Sequence, residues 1–317
     1  MDCNRTVEKL DYESRMGGGM RGIMKNQKLS SSEKILRTFT YFILTCVSLI
    51  CVIPFMLIVS GSVSDSAQIM KFGYSILPRG FSLDGYRSIF LFPKQIAKAY
   101  GVSVFVTAAG TGIGLVVMTL CGYAISRGEL RYRNVISFII YFTTLFSGGL
   151  VPWYMVITKL GMKNSIWALV IPSCCSSFYI LLIRNFMKTI PDSLMESAKL
   201  DGAGELLILI RIVIPLSTPI LATVGLFLAL AYWNDWYLAS LYITDADMWP
   251  LQYRLYNILN AASKIAQAGV ENFTSKILPT ETQKLANAVV ATGPIIFLYP
   301  FLQKYFVQGI SIGAVKG

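Results

Sequence analysis

Apolar and polar positions separate along this 317-residue chain into long blocks instead of alternating at short period. Six runs carry no charged residue: Thr38–Ser64, Ala99–Ser126, Asn134–Thr158, Asn164–Ile183, Ile212–Asn234 and Leu285–Gln303. The shortest has 19 residues, and about 20 residues of helix cross the hydrocarbon core of a bilayer. No water is present there to satisfy backbone groups, so each run is predicted to be helical. The pattern predicts an all-α membrane protein with six transmembrane helices.

The polar blocks between the runs set the organisation. Residues 1–34 are predicted to be a basic, poorly ordered tail and 35–317 one membrane domain. Residues 65–98 form a loop with turn signals at Pro78-Arg79-Gly80 and Asp84-Gly85. Arg127–Arg131 and Thr158–Lys163 are short turns. Residues 187–217 form a longer connection, and residues 245–284 a loop with a helix over Leu255–Ala268. Charged residues make up 14% of the chain, against about 25% in soluble domains. The net charge is +11. No basic stripe interleaves with exposed aromatics, so nucleic-acid binding does not explain it. Lys and Arg instead orient the chain: with both termini in the cytoplasm, 17 lie inside and 11 outside. The first run follows more than thirty polar residues and lacks a cleavage signal, so no signal peptide is expected. Translation starting at Met1, Met20 or Met24 stays open.

The 187–217 connection is the part richest in information. A bilayer protein has little use for an ordered, mixed-charge element of this length unless something docks on it. Pro191 suits a helix start, and Asp192 and Glu196 favour the positive N-terminal end. Leu194, Ala198 and Asp201 are spaced i, i+4 and i+7. Gly202 can take a positive φ, ending one helix and turning the chain into a second. Pro215 is expected to stop that second helix at the membrane.

Other features have less specific readings. Gly110-Thr111-Gly112-Ile113-Gly114 superficially suggests a nucleotide-binding turn but lies inside an apolar run. Gly110 and Gly114 are small residues spaced for close helix approach. Asp235 is the one acid well inside an apolar stretch, within Tyr232-Trp233-Asn234-Asp235-Trp236-Tyr237. It is a candidate substrate contact, with a hydrated belt residue or interhelical glue as alternatives. Ser173, Ser176, Ser177, Ile180 and Arg184 share one helical face, a candidate path lining; otherwise these serines bond backbone. Five of the six cysteines lie in apolar segments, and zinc spacing is missing. With no His, Ser-His-Asp and His-Glu-x-x-His chemistry are excluded. No Gly-x-x-x-x-Gly-Lys-Ser/Thr loop occurs, so any ATP is bound by another polypeptide. Catalytic residues, metals and cofactors are not expected.

Glu196-Ser197-Ala198, then Asp201-Gly202-Ala203, then Ile212-x-x-Pro215 resembles the cytoplasmic coupling loop of bacterial ABC importer permeases. Every spacing is kept; Ser197 stands for an Ala and Ile214 for a Leu. Phe146–Pro152, Trp167–Pro172, Leu278–Glu281, Ala291–Pro294 and Tyr299–Phe306 look like carbohydrate permeases of the MalG-like group, with the nearest likeness to LplC/YtcP-like oligosaccharide and polysaccharide permeases over roughly residues 33–317. The resemblance implies a type I ABC importer permease fold and no catalysis by this subunit. It implies partners: a paralogous permease, two cytoplasmic ATPase subunits and an extracellular solute-binding lipoprotein. It implies that Glu196, Ser197, Ala198, Asp201, Gly202, Ala203, Ile212 and Pro215 dock on the ATPase, with Gly202 the turn in its cleft. Candidate substrate-path residues are Ser173, Ser176, Ser177, Tyr232, Asn234, Asp235 and Trp236. The expected location is the bacterial cell membrane and the expected substrate an oligosaccharide. An amino-acid or phosphate importer, or a membrane receptor or scaffold, are the alternatives.

Overall fold

A computed structural model describes residues 31–91, 93–260, 280–294 and 296. The predicted tail before residue 31, the far end of the predicted Leu255–Ala268 helix, Leu278-Pro279, most of the sixth apolar run and the Tyr299–Phe306 motif lie outside the described residues. The chain divides into two compact units, Met1–Met56 and Leu57–Gly317.

The described part of the first unit is one helix, Ser31–Ser62, which runs on into the second unit. Its few polar side chains satisfy themselves: the Thr40 hydroxyl donates to the Leu36 carbonyl and the Ser48 hydroxyl to the Leu44 carbonyl. Such back-bonding lets a hydroxyl sit in an apolar helix without an orphaned donor.

In the second unit, the central element is Pro93–Ser126, a 34-residue helix. It packs against Ser177–Met187 and Thr218–Asn234. The core between them holds Met118, Leu169, Ile183, Val213 and Val224, each at most 1% exposed. Lipid tails are as apolar as these side chains, so close approach, rather than escape from water, holds such helices together. Glycine makes that approach. A Cβ on Gly110 would meet the Tyr232 ring at 2.4 Å, one on Gly114 would meet Leu228 at 2.7 Å and the Cys174 carbonyl at 2.9 Å, and one on Gly122 would meet Ile183 at 2.8 Å. The packing role expected for Gly110 and Gly114 is the one seen.

Two helices, Lys34–Ser62 and Pro93–Ser126, are long and apolar enough to cross a membrane alone. Three further predicted spans are bent. Arg133–Leu145 and Leu150–Lys159 meet at 116°, Trp167–Ser173 and Ser177–Met187 at 47°, and Glu205–Leu216 and Thr218–Asn234 at 80°. Counting each pair as one span gives five among the described residues. Each break has a local cause. Gly149 adopts φ +83° at the first, open to glycine at little cost. Pro172 sits in a 3₁₀ turn at the second; lacking an N–H, it cannot continue an α-helical ladder. Pro215 and Pro219 flank the third.

The predicted 65–98 loop is also revised. It contains the helices Ser66–Phe72 and Asp84–Phe90, and the central helix starts at Pro93, six residues before the apolar run. The Asp65 side chain accepts from the Ala67 N–H and starts the first of these helices. The predicted Gly80 turn is present, with φ +63°, but Asp84-Gly85 opens a helix. The helix expected from Leu255 begins at Leu251, set by extended Pro250 before it.

Candidate functional site

The 187–217 connection folds as two helices about a glycine turn. The first is Asp192–Leu200, with Pro191 in extended conformation just before it; Pro191 is thus a cap and not a first-turn residue. The helix ends in a Schellman motif. The Gly202 N–H donates to the Lys199 carbonyl at 3.0 Å, and the Ala203 N–H to the Ala198 carbonyl at 2.9 Å. Gly202 has φ +82°, the left-handed region that costs other residues steric strain. Its chain neighbours aside, nothing among the described residues lies within 4 Å of where its Cβ would be. The tip of the turn is therefore open.

The helix faces differ from the predicted stripe. Met195 is the residue that packs inward, Ala198 is half-buried, and Leu194 is largely exposed. Asp201 stands outside the helix as its C-cap. Glu196, Ser197, Asp201 and Gly202 are all exposed, and Glu196 and Asp201 form no ion pair among the described residues. Leu200, 90% exposed, sits between them. The sequence motif did not single it out, because an isolated leucine carries no spacing signal.

The second half runs Glu205–Ile208, then a π-helical stretch Leu209–Val213, then Ile214–Leu216. Pro215 does not stop it. Pro215 lies inside the last turn, and the chain breaks at Ser217, whose N–H donates to the Val213 and Ile214 carbonyls. Pro215 has no N–H for the Arg211 carbonyl, and the wider π ladder stands immediately before it. Ile212 is half-buried against the core, while Pro215 is exposed.

An ion-pair network, not foreseen from sequence, joins this connection to the central helix. Glu205 accepts from the Tyr123 hydroxyl at 2.5 Å and pairs with Lys199 at 2.6 Å. Lys199 also pairs with Glu129 at 2.5 Å. Arg127 lies 3.6 Å from both Glu129 and Glu205. Hydrogen bonds to Glu129 and then Glu205 raise the Lys199 pKa. Glu129 lies 70 residues from Lys199 and Tyr123 lies 82 from Glu205, so no local spacing could reveal these contacts.

The candidate path residues are dispersed. Ser173 ends the 3₁₀ turn, Ser176 lies in the break, and Ser177 starts the next helix. The predicted single helical face is therefore interrupted. The Ser177 and Thr143 hydroxyls are 2.6 Å apart. Tyr232 is buried, with its hydroxyl donating to the Val170 carbonyl. Asn234 ends the Thr218–Asn234 helix, exposed, and bonds the Leu230 carbonyl. Asp235 starts the next turn: its Oδ1 accepts from the Tyr237 and Leu238 N–H groups at 3.0 and 3.2 Å. Trp236 is 38% exposed and stacks on Tyr256, centroids 4.1 Å apart.

No protein-family model matches the chain. Individual proteins do. It is 40% identical over 285 residues to the polygalacturonan/rhamnogalacturonan transport system permease protein YtcP of Bacillus subtilis strain 168, covering 90% of this chain and 99% of that protein. It is 38% identical over 271 residues to Protein LplC of the same strain, covering 86% and 91% respectively. A solved bacterial ABC transporter involved in the import of the acidic polysaccharide alginate has a chain that superposes with a TM-score of 0.76 at 30% identity, covering 89% of this chain and all of that one. The chain belongs to the carbohydrate ABC transporter permeases, multi-pass cell-membrane subunits of binding-protein-dependent importers that are not themselves catalytic.

Proposed function

We propose that this chain forms half of the membrane path of an ATP-driven importer for oligosaccharides released from polysaccharides, and that the 187–217 connection couples it to a separate cytoplasmic ATPase. The observation that carries the coupling is the turn at Gly202. A left-handed glycine with open space around it stands at the tip of an element whose outward face is Glu196, Ser197, Leu200 and Asp201. Two acids without an ion-pair partner among the described residues, around an exposed leucine, make a compact contact for a cleft with an apolar floor and basic rims. Met195, Ala198 and Ile212 hold the element on the body, and Ala203 and Pro215 shape its two ends.

In this reading six spans place both termini in the cytoplasm, with residues 1–34 a tail and 35–317 the permease domain. The sixth span is the Leu285–Gln303 run. A paralogous permease completes the path. Two ATPase subunits take the coupling elements, and an extracellular lipoprotein delivers the sugar. ATP-driven closure of the ATPase pair moves the element and favours the outward-open state; energy enters as differential binding of two conformations. The substrate class rests on the transport systems named for YtcP and for the alginate importer. Asn234, Asp235 and Trp236, with Ser173, Ser176 and Ser177, are the proposed sugar contacts, backed by buried Tyr232.

The test is Gly202→Gln. It forces a β-carbon into a left-handed turn, a cost of about 1–2 kcal/mol, and adds bulk at the tip. Expression in the membrane should persist, while ATPase co-purification and ATP-dependent oligosaccharide uptake into proteoliposomes fall together. Normal co-purification and uptake in that variant would remove the docking role from this loop.

A further inference from the structure

Where the central helix, the Arg133–Leu145 helix and the Ser177–Met187 helix end beside the coupling element, their side chains enclose a cavity of about 250 Å³. That is roughly eight times the ~30 Å³ share of a liquid water, space for an oxyanion and some of its hydration. Its walls include Arg127, Arg133 and Lys188, with Asp192 the acid among them. Arg184 adds a fourth cation next to Lys188.

The cations are unequally compensated. Arg127, with its side chain 12% exposed, shares Glu129 and Glu205, yet its buried Nε has no partner. Among the described residues, Arg133 and Lys188 have no ion-pair partner, and neither does Asp192. Arg184 spends its guanidinium on the Ile125 carbonyl and the Asn185 side chain, both uncharged. The hydroxyls on the wall are occupied too: Tyr123 donates to Glu205, and Ser126 to the Tyr123 carbonyl. The uncompensated charge facing the cavity is net positive, Arg133 and Lys188 against Asp192.

Simpler accounts explain only part of this. Lys188 caps the C-terminal end of its helix, and Arg184 lies in its last turn, where the helix dipole favours cations. Arg133 is the first residue of its helix, where the dipole disfavours one. A general excess of cations on one membrane side requires no convergence. Burial, and then Arg184 and Arg133, push the Lys188 pKa down; like charges held this way are relieved by an anion between them.

We propose that this cavity is a binding site for a phosphate group, held by Arg133 and Lys188 with Arg127 behind them. Two sources carry that chemistry: the headgroup of an acidic phospholipid, because the cavity opens where three membrane helices end, and a free phosphate from the aqueous phase. The site adjoins the coupling element through Asp192 and Met195, so its occupant bears on how that element sits. Its inner-leaflet position rests on the orientation proposed above; the binding chemistry does not.

The full-length chain is purified and placed in nanodiscs of phosphatidylcholine with or without phosphatidylglycerol, and retained lipid is counted by native mass spectrometry. Wild type should retain phosphatidylglycerol. R133Q/K188Q should retain it about 25-fold less, two cations contributing roughly fivefold each. K188Q alone, at an exposed cap position, should lose about fivefold and guards against misfolding of the double variant. R131Q removes a charge from the same turn outside the cavity and should bind like wild type. If inorganic phosphate displaces the lipid and raises the melting temperature of wild type but not of K188Q, free phosphate is the competing source; if it does neither, the site takes a headgroup. Equal retention by wild type, R131Q and K188Q overturns the proposal. So does a wild type that neither retains phosphatidylglycerol nor responds to inorganic phosphate. Neither readout uses sugar or ATP, so failure of the importer reading leaves the result interpretable.

Discussion

Asp235 shows how one carboxylate can serve structure and still have capacity left. Its Oδ1 starts the Tyr237–Tyr242 helix by accepting two backbone N–H groups, while its Oδ2 has no hydrogen-bond partner among the described residues. The sequence marked Asp235 as unusual because acids are rare in apolar runs. It could not show the cap, because that depends on where the preceding helix ends. Asp235→Asn separates the roles: Asn caps about as well as Asp but carries no charge. The variant should assemble with its partners like wild type. If the carboxylate accepts hydroxyls of a neutral sugar, losing charge-assisted bonds costs about 1.5–3 kcal/mol, a roughly 10- to 150-fold loss in apparent affinity by the RT relation. A uronate-bearing sugar should reverse the sign, since a like charge is removed. Uptake titrations over substrate concentration, with saturating binding protein, read both. Unchanged titrations for both sugar classes would move the contact to Ser173, Ser176 and Ser177.

Elements were legible where their signal is local and silent where it is not. The glycine spacing at 110 and 114 was readable because a missing side chain at helical period means close approach, and Tyr232 and Leu228 fill that space. The Gly202 turn was readable because a left-handed residue restricts amino-acid choice. The bends at Gly149, Pro172 and Ser217 were not, since hydropathy counts apolar residues without registering their direction. Nor was the Tyr123–Glu205–Lys199–Glu129–Arg127 network. That network ties both helices of the coupling element to the end of the 34-residue central helix. In the proposed function, a displacement of the element would therefore be passed to the helix on which the proposed path-side helices pack. Glu205→Gln keeps an acceptor for Tyr123 and removes the ionic ties. It should leave ATPase co-purification intact and lower the sugar imported per ATP. Tyr123→Phe should be non-additive with it in thermal stability by about 0.5–1 kcal/mol, toward the low end because Glu205 is half exposed. Strict additivity together with wild-type stoichiometry would reduce the network to surface decoration.

For the whole molecule, the charge-free runs anticipated a helical membrane protein, and the likeness to carbohydrate permeases is matched by the 0.76 superposition on an importer chain. Orientation remains a separate physical question, because a bundle can be inserted either way up and only the flanking charges choose. Arg127, Arg131 and Arg133 fall in one turn, and Arg184, Lys188, Lys199 and Arg211 fall about the coupling connection. The fold supports their common side directly: Lys199 touches Glu129, and Arg127 touches Glu205. The opposite end is joined in the same way, for Lys98 pairs with Asp247 at 2.6 Å and Arg254 bonds Gln95. Whatever the orientation, 127–133 and 188–211 must therefore share one face, and 94–98 and 245–254 another. In the proposed orientation, the excess of Lys and Arg puts the first face in the cytoplasm. In a cysteine-free background, single cysteines at Lys163 and Asp84 should react with an impermeant maleimide in intact cells. Cysteines at Asp201 and Arg131 should react only after the membrane is opened. Labelling at 201 from outside would invert the molecule and remove the coupling element from the reach of any cytoplasmic ATPase. Labelling of 131 and 201 from opposite sides would instead contradict the Lys199–Glu129 contact, and with it the packing of the coupling element on the central helix.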